Sequence, residues 1–191
     1  LQQGTMVTAK SGLAPHRVIY GKTRVGGVMV YAEATGSTND FLHIIFTLAG
    51  PEITDITKLF VNETEVPLTQ DGADSDGIAR LFPSSGNQYE GILRFKKHLG
   101  TDAPLADADL VSEITQWTTN HRLRGIAYGY IRLNFDSDVY PNGVPNITVE
   151  VEGKKVFDPR TSATAYSRNP ALCIRDYLTN SNYGLGAETA E

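Results

Sequence analysis

RLRGIAYGYIRLNFDSDVYPNGVPNITVEVEGKKVFDP, residues 122–159, carries the strongest alternation of apolar and polar side chains in the chain. In its first run Ala127, Gly129, Ile131, Leu133 and Phe135 share one face, and Tyr128, Tyr130, Arg132 and Asn134 share the other. That is the two-residue period of a half-buried strand. In the second run Ile147, Val149 and Val151 alternate with Thr148, Glu150 and Glu152, so one face wants a core and the other wants water or a charged partner. Between the runs, Pro141, Asn142, Gly143 and Pro145 supply turn chemistry: fixed φ at proline, positive φ at glycine. The stretch predicts two or three long β-strands forming a scaffold with no catalytic signature.

Upstream, FLHIIFTLAG places Leu42, Ile44, Phe46 and Leu48 on one wholly apolar face and Phe41, His43, Ile45 and Thr47 on a mixed one, the signature of a strand near the middle of a sheet. Residues 16–20 and 28–32 are β-prone around GKTRVGG and read as a hairpin turning at Gly26 and Gly27. KLFVNETEVPL reads as strand, turn at Asn62-Glu63-Thr64, and return through Val66 and Leu68, so residues 16–68 predict an antiparallel meander. Residues 69–88 read as a long acidic loop, and a further strand is expected where Tyr89, Gly91, Leu93 and Phe95 alternate with Glu90, Ile92, Arg94 and Lys96. Leu110, Ile114 and Trp117 allow a short inward-facing helix with Asp107 and Asp109 at its start.

Downstream, Asp158 and Pro159 end the sheet region and TSATAYSRN reads as a loop. Asn169 then caps a helix over residues 169–180, with Pro170 at its first position and Ala171, Ile174, Tyr177 and Leu178 facing inward; Asn180 and Gly184 mark its exit. The fold class expected is α+β and β-dominated: antiparallel sheets, as a sandwich or barrel-like, with one or two short helices. Residues 1–14 read as a linker or leader and 15–191 as one β-rich domain, with 69–122 as a candidate inserted, loop-rich lobe.

With 17 Lys and Arg against 22 Asp and Glu, the formal charge of -5 argues against a dedicated nucleic-acid binder, whose affinity rests on clustered cations. The single cysteine, Cys173, excludes an internal disulfide framework and any multi-cysteine zinc site, and reads as a structural thiol. No stretch reaches the ~20 apolar residues of a membrane-spanning helix. Gly21-Lys22-Thr23 lacks the glycine of a phosphate loop, since position 16 is His16. DGADSDG lacks EF-hand ligands at Gly72 and Pro83 and reads as a solvated acidic loop, while Asp136 and Asp138 read as turn formers. His16, His43, His98 and His121 have no zinc spacing, and His43 reads as a satisfied sheet histidine. No serine stands in a nucleophile elbow. Glu150 and Glu152 either pair across strands with Lys154 and Lys155 or line a symmetric interface. No catalytic, cofactor-binding or metal-binding residue is assigned, and the chain is read as not an enzyme.

APHRVIYGKTRVGGVMVYAE, FLHIIFTLAGPEI with KLFVNE, TNHRLRGIAYGYIRLNFDSDVYPNGVPNITVEVEGKKVFDPRT and NPALCIRDYLTNSNYGLG follow one another over most of residues 14–186. In that order the chain resembles the tail-tip protein J family, the host-specificity or tip-attachment proteins of long-tailed bacteriophages and prophages. The resemblance implies a virion structural protein longer than this chain, synthesised in the bacterial host cytoplasm and located at the tail tip. It implies a trimeric hub that pairs with copies of itself and with other tail-tip proteins, and that encloses a channel through which DNA passes only as cargo. Receptor contact is implied for other parts of the full-length protein, and this piece corresponds to the N-terminal to central hub region, in keeping with ends that look cut from something longer. A sheet face bearing Glu150, Glu152 or Asp136 is then expected toward the channel, where like charge repels DNA. The alternative is a β-rich binding module that contacts a host receptor or glycan directly, and a wall-degrading enzyme would need paired carboxylates in a cleft.

Overall fold

In the computed structural model the described residues are 9–10, 15–141 and 143–188, and they form thirteen strands and two helices. The alternation in the quoted stretch becomes β10 (Ala127–Asn134) and β11 (Ile147–Glu152), followed by β12 (Lys155–Asp158). β10 and β11 belong to different sheets, with residues 135–146 crossing between the two layers.

The larger sheet has seven strands. Its middle strand is β10, with β4 (Phe41–Ala49) beside it, antiparallel to both β10 and β3 (Val28–Thr35). On the far side of β10 lie β9 (Leu93–Leu99), β8 (Ala79–Pro83) and β7 (Leu68–Ala73). At the opposite edge β1 (Ala9–Lys10) runs parallel to the start of β3. The remainder of the expected leader over 1–14 lies outside the described residues. The smaller sheet has the order β2 (Lys22–Gly26), β11, β5 (Asp55–Val61) and β6 (Thr64–Val66). Asn62 and Glu63, both at positive φ, make the two-residue turn between β5 and β6, as the sequence predicts.

The two sheets face each other across one apolar core. Ile44, Phe46 and Leu48 of β4, Leu93 and Phe95 of β9, and Ala127, Ile131 and Leu133 of β10 meet Ile56, Leu59 and Val61 of β5 and Ile147, Val149 and Val151 of β11. The fold is therefore a β-sandwich and not a closed barrel. Phe46 is packed closely against two glycines: a Cβ on Gly27 would lie 2.5 Å from its ring, and one on Gly129 would lie 2.4 Å from it. The ring thus lies flat over two strands that must both be bare beneath it.

Several expectations from the sequence are corrected. Residues 16–20 are not a strand; β2 begins at Lys22, and at Gly27 the chain leaves one sheet for the other instead of turning back as a hairpin. Residues 16–68 consequently divide between two sheets and form no single meander. The 69–88 loop contains the β7–β8 hairpin, and β9 starts at Leu93, after a turn that includes Tyr89 and Gly91. TSATAYSRN contains β13 (Ala163–Tyr166), antiparallel to β12.

Two helices complete the chain. In α1 (Ala108–Glu113) the side chain of Asp107 accepts from the Leu110 amide, and Leu110, Ile114 and Trp117 are all buried, as their spacing predicts. In α2 (Pro170–Thr179) Asn169 caps and Pro170 opens the helix, again as predicted. Its orientation is the reverse of the expected one: Leu172 is its buried residue, while Ile174, Tyr177 and Leu178 face outward. β10 is also buried on both faces, not half-buried, and Phe135 beyond its end is 81% exposed.

The Phe46 seat gives a direct test. Gly129→Val should destabilise the fold by ~1–3 kcal/mol in urea unfolding, the cost of overpacking a filled core, and Phe46→Leu in the same chain should recover part of that loss. Wild-type stability for Gly129→Val would show that the ring is not seated on bare backbone.

Candidate functional site

The outer face of the large sheet is where most ionisable groups converge. On β9 the residues pointing away from the sandwich core are Arg94, Lys96 and His98, and all three are buried. The register sets them beside Arg132, Tyr130 and Tyr128 of β10, with His43 next to Arg132 on β4. Burying that many polar groups requires partners. They come from α1 above the sheet and from the β7–β8 turn.

Lys96 Nζ is fully buried and lies 3.0 Å from Asp74, 2.8 Å from Asp76, 3.4 Å from Asp107 and 3.9 Å from Asp109. Arg94 forks onto Glu113 at 2.9 and 3.0 Å and also donates to the Tyr130 hydroxyl. Arg80 of β8 binds Asp109 and Asp74, and Arg132 reaches Glu113 at 3.2 Å. Asp76 also accepts from the Ala108 amide, fastening the first turn of α1 to the hairpin. His98 sits 2.7 Å from Asp107 and stacks on the Tyr128 ring with centroids 4.1 Å apart. His43 is satisfied on both nitrogens, by Thr35 at 2.7 Å and Tyr130 at 2.8 Å.

The electrostatics are those of a clamp. Burial works to raise Asp76, Asp109 and Glu113, but hydrogen bonds and charge from Lys96, Arg80 and Arg94 outweigh it and hold all three below the usual carboxylate range. Burial likewise works to lower Lys96 and Arg94, and the surrounding carboxylates raise both. A general acid needs a carboxyl held neutral near pH 7; these three carboxylates are tuned the other way. The aspartates converge on the Lys96 ammonium, and among the described residues no group of three or more His, Cys, Asp or Glu is placed to hold a metal ion. A cavity of about 300 Å³ opens beside the network under residues 100–105, and Asp76, which borders it, is already committed to Lys96.

The remaining residues singled out by sequence fall as follows. DGADSDG is not a solvated loop, since Asp74 and Asp76 fold back onto Lys96 and Arg80. Gly21-Lys22-Thr23 leads into β2, with no helix after it. Asp136 makes a turn, accepting from the amides of Asp138 and Val139. Lys154 does not pair with Glu150 or Glu152; it binds Asp176 of α2 at 2.7 Å. Asp176 also accepts from Tyr20 and Tyr183, so a carboxylate ties α2 to the sandwich. Cys173 is partly buried and free, and burial pushes its thiol up. Glu150 lies 2.9 Å from Lys22, and Lys58 and Arg24 on the same sheet pair with Glu65 and Glu63. The outer face of the small sheet is therefore close to charge-balanced, which removes the uniform negative field expected of Glu150 and Glu152.

The clamp was not read from sequence. Its signal is present: Arg94, Lys96 and His98 alternate with Leu93, Phe95 and Leu99, broken only by Lys97, and acid-rich runs lie on both sides.

Comparison with known proteins gives two similarities. Over 72 residues the chain is 32% identical to Tip attachment protein J of Escherichia phage SECphi27, an alignment taking in 30% of this chain and 6% of that protein. It also superposes on a chain of the solved virion of a native gene transfer agent particle with a TM-score of 0.52 and 21% identity, over 78% of this chain and 28% of that one. The second similarity is one of fold. This chain spans far less than two thirds of either protein. No family model matches the chain. No helix among the described residues is long and apolar enough to cross a membrane.

The buried histidine gives the clamp a pH signature. Burial pushes His43 down from 6.5 to about 4, with Arg132 and Arg94 adding to the shift and Glu113 opposing it. The unfolded chain takes up this proton below pH 6.5 and the folded chain only near 4, so stability falls as pH drops through that window. His43 contributes up to ~3 kcal/mol of that loss. Asp76, Asp109 and Glu113, held low in the fold, add a further loss in stronger acid. Urea unfolding across a pH series should therefore show a slope that His43→Asn flattens between pH 6.5 and about 4; identical slopes would contradict the placement of His43.

Proposed function

We propose that this chain is a structural segment of a phage-type tail tip, part of a hub that assembles with copies of itself, as a trimer in the full-length protein, and with other tail proteins. The observation that carries this reading is the 72-residue similarity to Tip attachment protein J, in a chain whose fold resembles that of a virion particle protein. In this reading the protein resides in the virion, is synthesised in the bacterial host cytoplasm, and has an assembly role and no catalytic one. Host attachment belongs to other parts of the longer protein, and DNA passes the hub as cargo.

The chemistry of the site supports an architectural role. The groups that could act as acids or bases are clustered, but the clustered carboxylates carry cationic partners, and α1 lies over them. Such a network is costly to desolvate and strongly destabilising to break, so its effect is to fix one arrangement of sheet, hairpin and helix. A rigid module suits a particle that must keep its symmetry under load.

Antibody raised against this chain, applied to purified particles and viewed by immunogold electron microscopy, should decorate the distal end of the tail. Label on the head or along the tail tube, or absence of the chain from purified particles, would refute the reading.

A further inference from the structure

Among the described residues nine large apolar side chains are exposed, and seven of them fall at two places. Five belong to the C-terminal module: Ile174, Tyr177 and Leu178 on one face of α2, Leu185, whose amide bonds the Tyr177 carbonyl, and Phe157 on β12. The other two, Phe135 and Val144, flank a notch of about 160 Å³ at the junction of β10 and β11. Leu42, Leu133 and Tyr140 also line that notch, and the Tyr140 hydroxyl is buried without a hydrogen-bond partner.

The two patches have opposite rims. Residues 154–188 carry five cations, Lys154, Lys155, Arg160, Arg168 and Arg175, against Asp158, Asp176 and Glu188. Lys154 and Arg160 are paired internally, Arg175 of α2 lies over the exposed Phe157 ring, and Lys155 and Arg168 complete the positive excess of the module. Residues 1–153 hold twelve Lys or Arg against eighteen Asp or Glu, so the body of the molecule is acidic where this module is basic. The segments that line the notch carry Asp40, Asp136 and Asp138, and neither residues 36–42 nor 133–146 contain a Lys or Arg. Asp40 is adjacent through its carbonyl, which accepts from the Phe135 amide.

The patches also lie at opposite ends of the sandwich. The notch adjoins the Ile147 end of β11, and α2 is tied to Lys154 just beyond its Glu152 end. Six residues of strand separate them by roughly 20 Å. One copy cannot bring its own two patches together.

We propose that the apolar, basic-rimmed face of α2 docks into the apolar, acidic-rimmed notch of a second copy of this chain, a head-to-tail contact. Two different surfaces meet in such a contact, so repeating it closes a ring or extends a row, depending on the rotation it imposes. The proposal rests on the assembly reading above for the role of the second copy, and it specifies the surfaces used.

Sedimentation velocity tests it with wild type, Ile174→Asp and Phe135→Asp. Both substituted residues are exposed, and far-UV circular dichroism should confirm that both variants keep the wild-type fold. Wild type should associate at about 0.5 mM in low salt, and each variant should associate at least ~10-fold more weakly. An equimolar mixture of the two variants should form a dimer and nothing larger, because one intact α2 face meets one intact notch. If either variant misfolds, Arg175→Glu and Asp138→Lys serve instead: each weakens association alone, and their mixture restores it. Wild type that stays monomeric, a variant that associates like wild type, or a mixture that stays monomeric overturns the proposal. If wild type stays monomeric while immunogold still marks the distal tail, the contact fails and the tail assignment stands.

Discussion

Phe46 lying across Gly27 and Gly129 is the contact on which the sandwich depends. The ring sits on β4, between the strand that follows Gly27 and the strand that contains Gly129. Any side chain on either glycine would occupy the space the ring fills. This explains how β4 can lie inside a seven-stranded sheet, paired on both sides, while carrying one of the largest side chains in the core. It also fixes the crossing between layers, because Gly27 is the residue at which the chain leaves the small sheet and enters the large one.

The two faces of the large sheet are then held by different physics. The inner face is apolar and non-directional, filled by aliphatic side chains from both layers. The outer face combines a smaller aromatic and aliphatic cluster, which includes Tyr128, Tyr130 and Trp117, with the ion-pair clamp on Lys96 and Arg94. Hydrophobic burial supplies most of the drive to fold, and the clamp supplies direction by allowing only one seating of α1 and the β7–β8 turn. A module built this way presents little chemistry to solvent and leaves its unpaired apolar surface mainly at its two ends.

The parts of the fold legible in sequence are those decided by a single strand or a single cap. FLHIIFTLA and ITVEVE alternate cleanly, and Asn169-Pro170 announces a helix start. What was not legible depends on partners far along the chain. Alternation cannot say which sheet a strand joins, so residues 16–20 and 28–32 read as one hairpin around the segment that is in fact β2. Tyr128, Tyr130 and Arg132 look like a solvent face until Asp107, Asp109 and Glu113 are brought over them. Asp74 and Asp76 read as loop residues because Lys96, the cation they share, lies some twenty positions away. In α2 a hydrophobicity pattern sends Ile174, Tyr177 and Leu178 inward, whereas the anchor of the helix is the carboxylate of Asp176 and those side chains face outward.

The account holds that a rigid sandwich meets its neighbours through its ends. Hydrogen–deuterium exchange, comparing the dilute chain with the assembled one, measures this most directly. Assembly should protect residues 135–145 and 170–185 together and leave exchange in β4, β10 and β11 unchanged. Protection confined to the sheet faces, or to only one of the two segments, would contradict it.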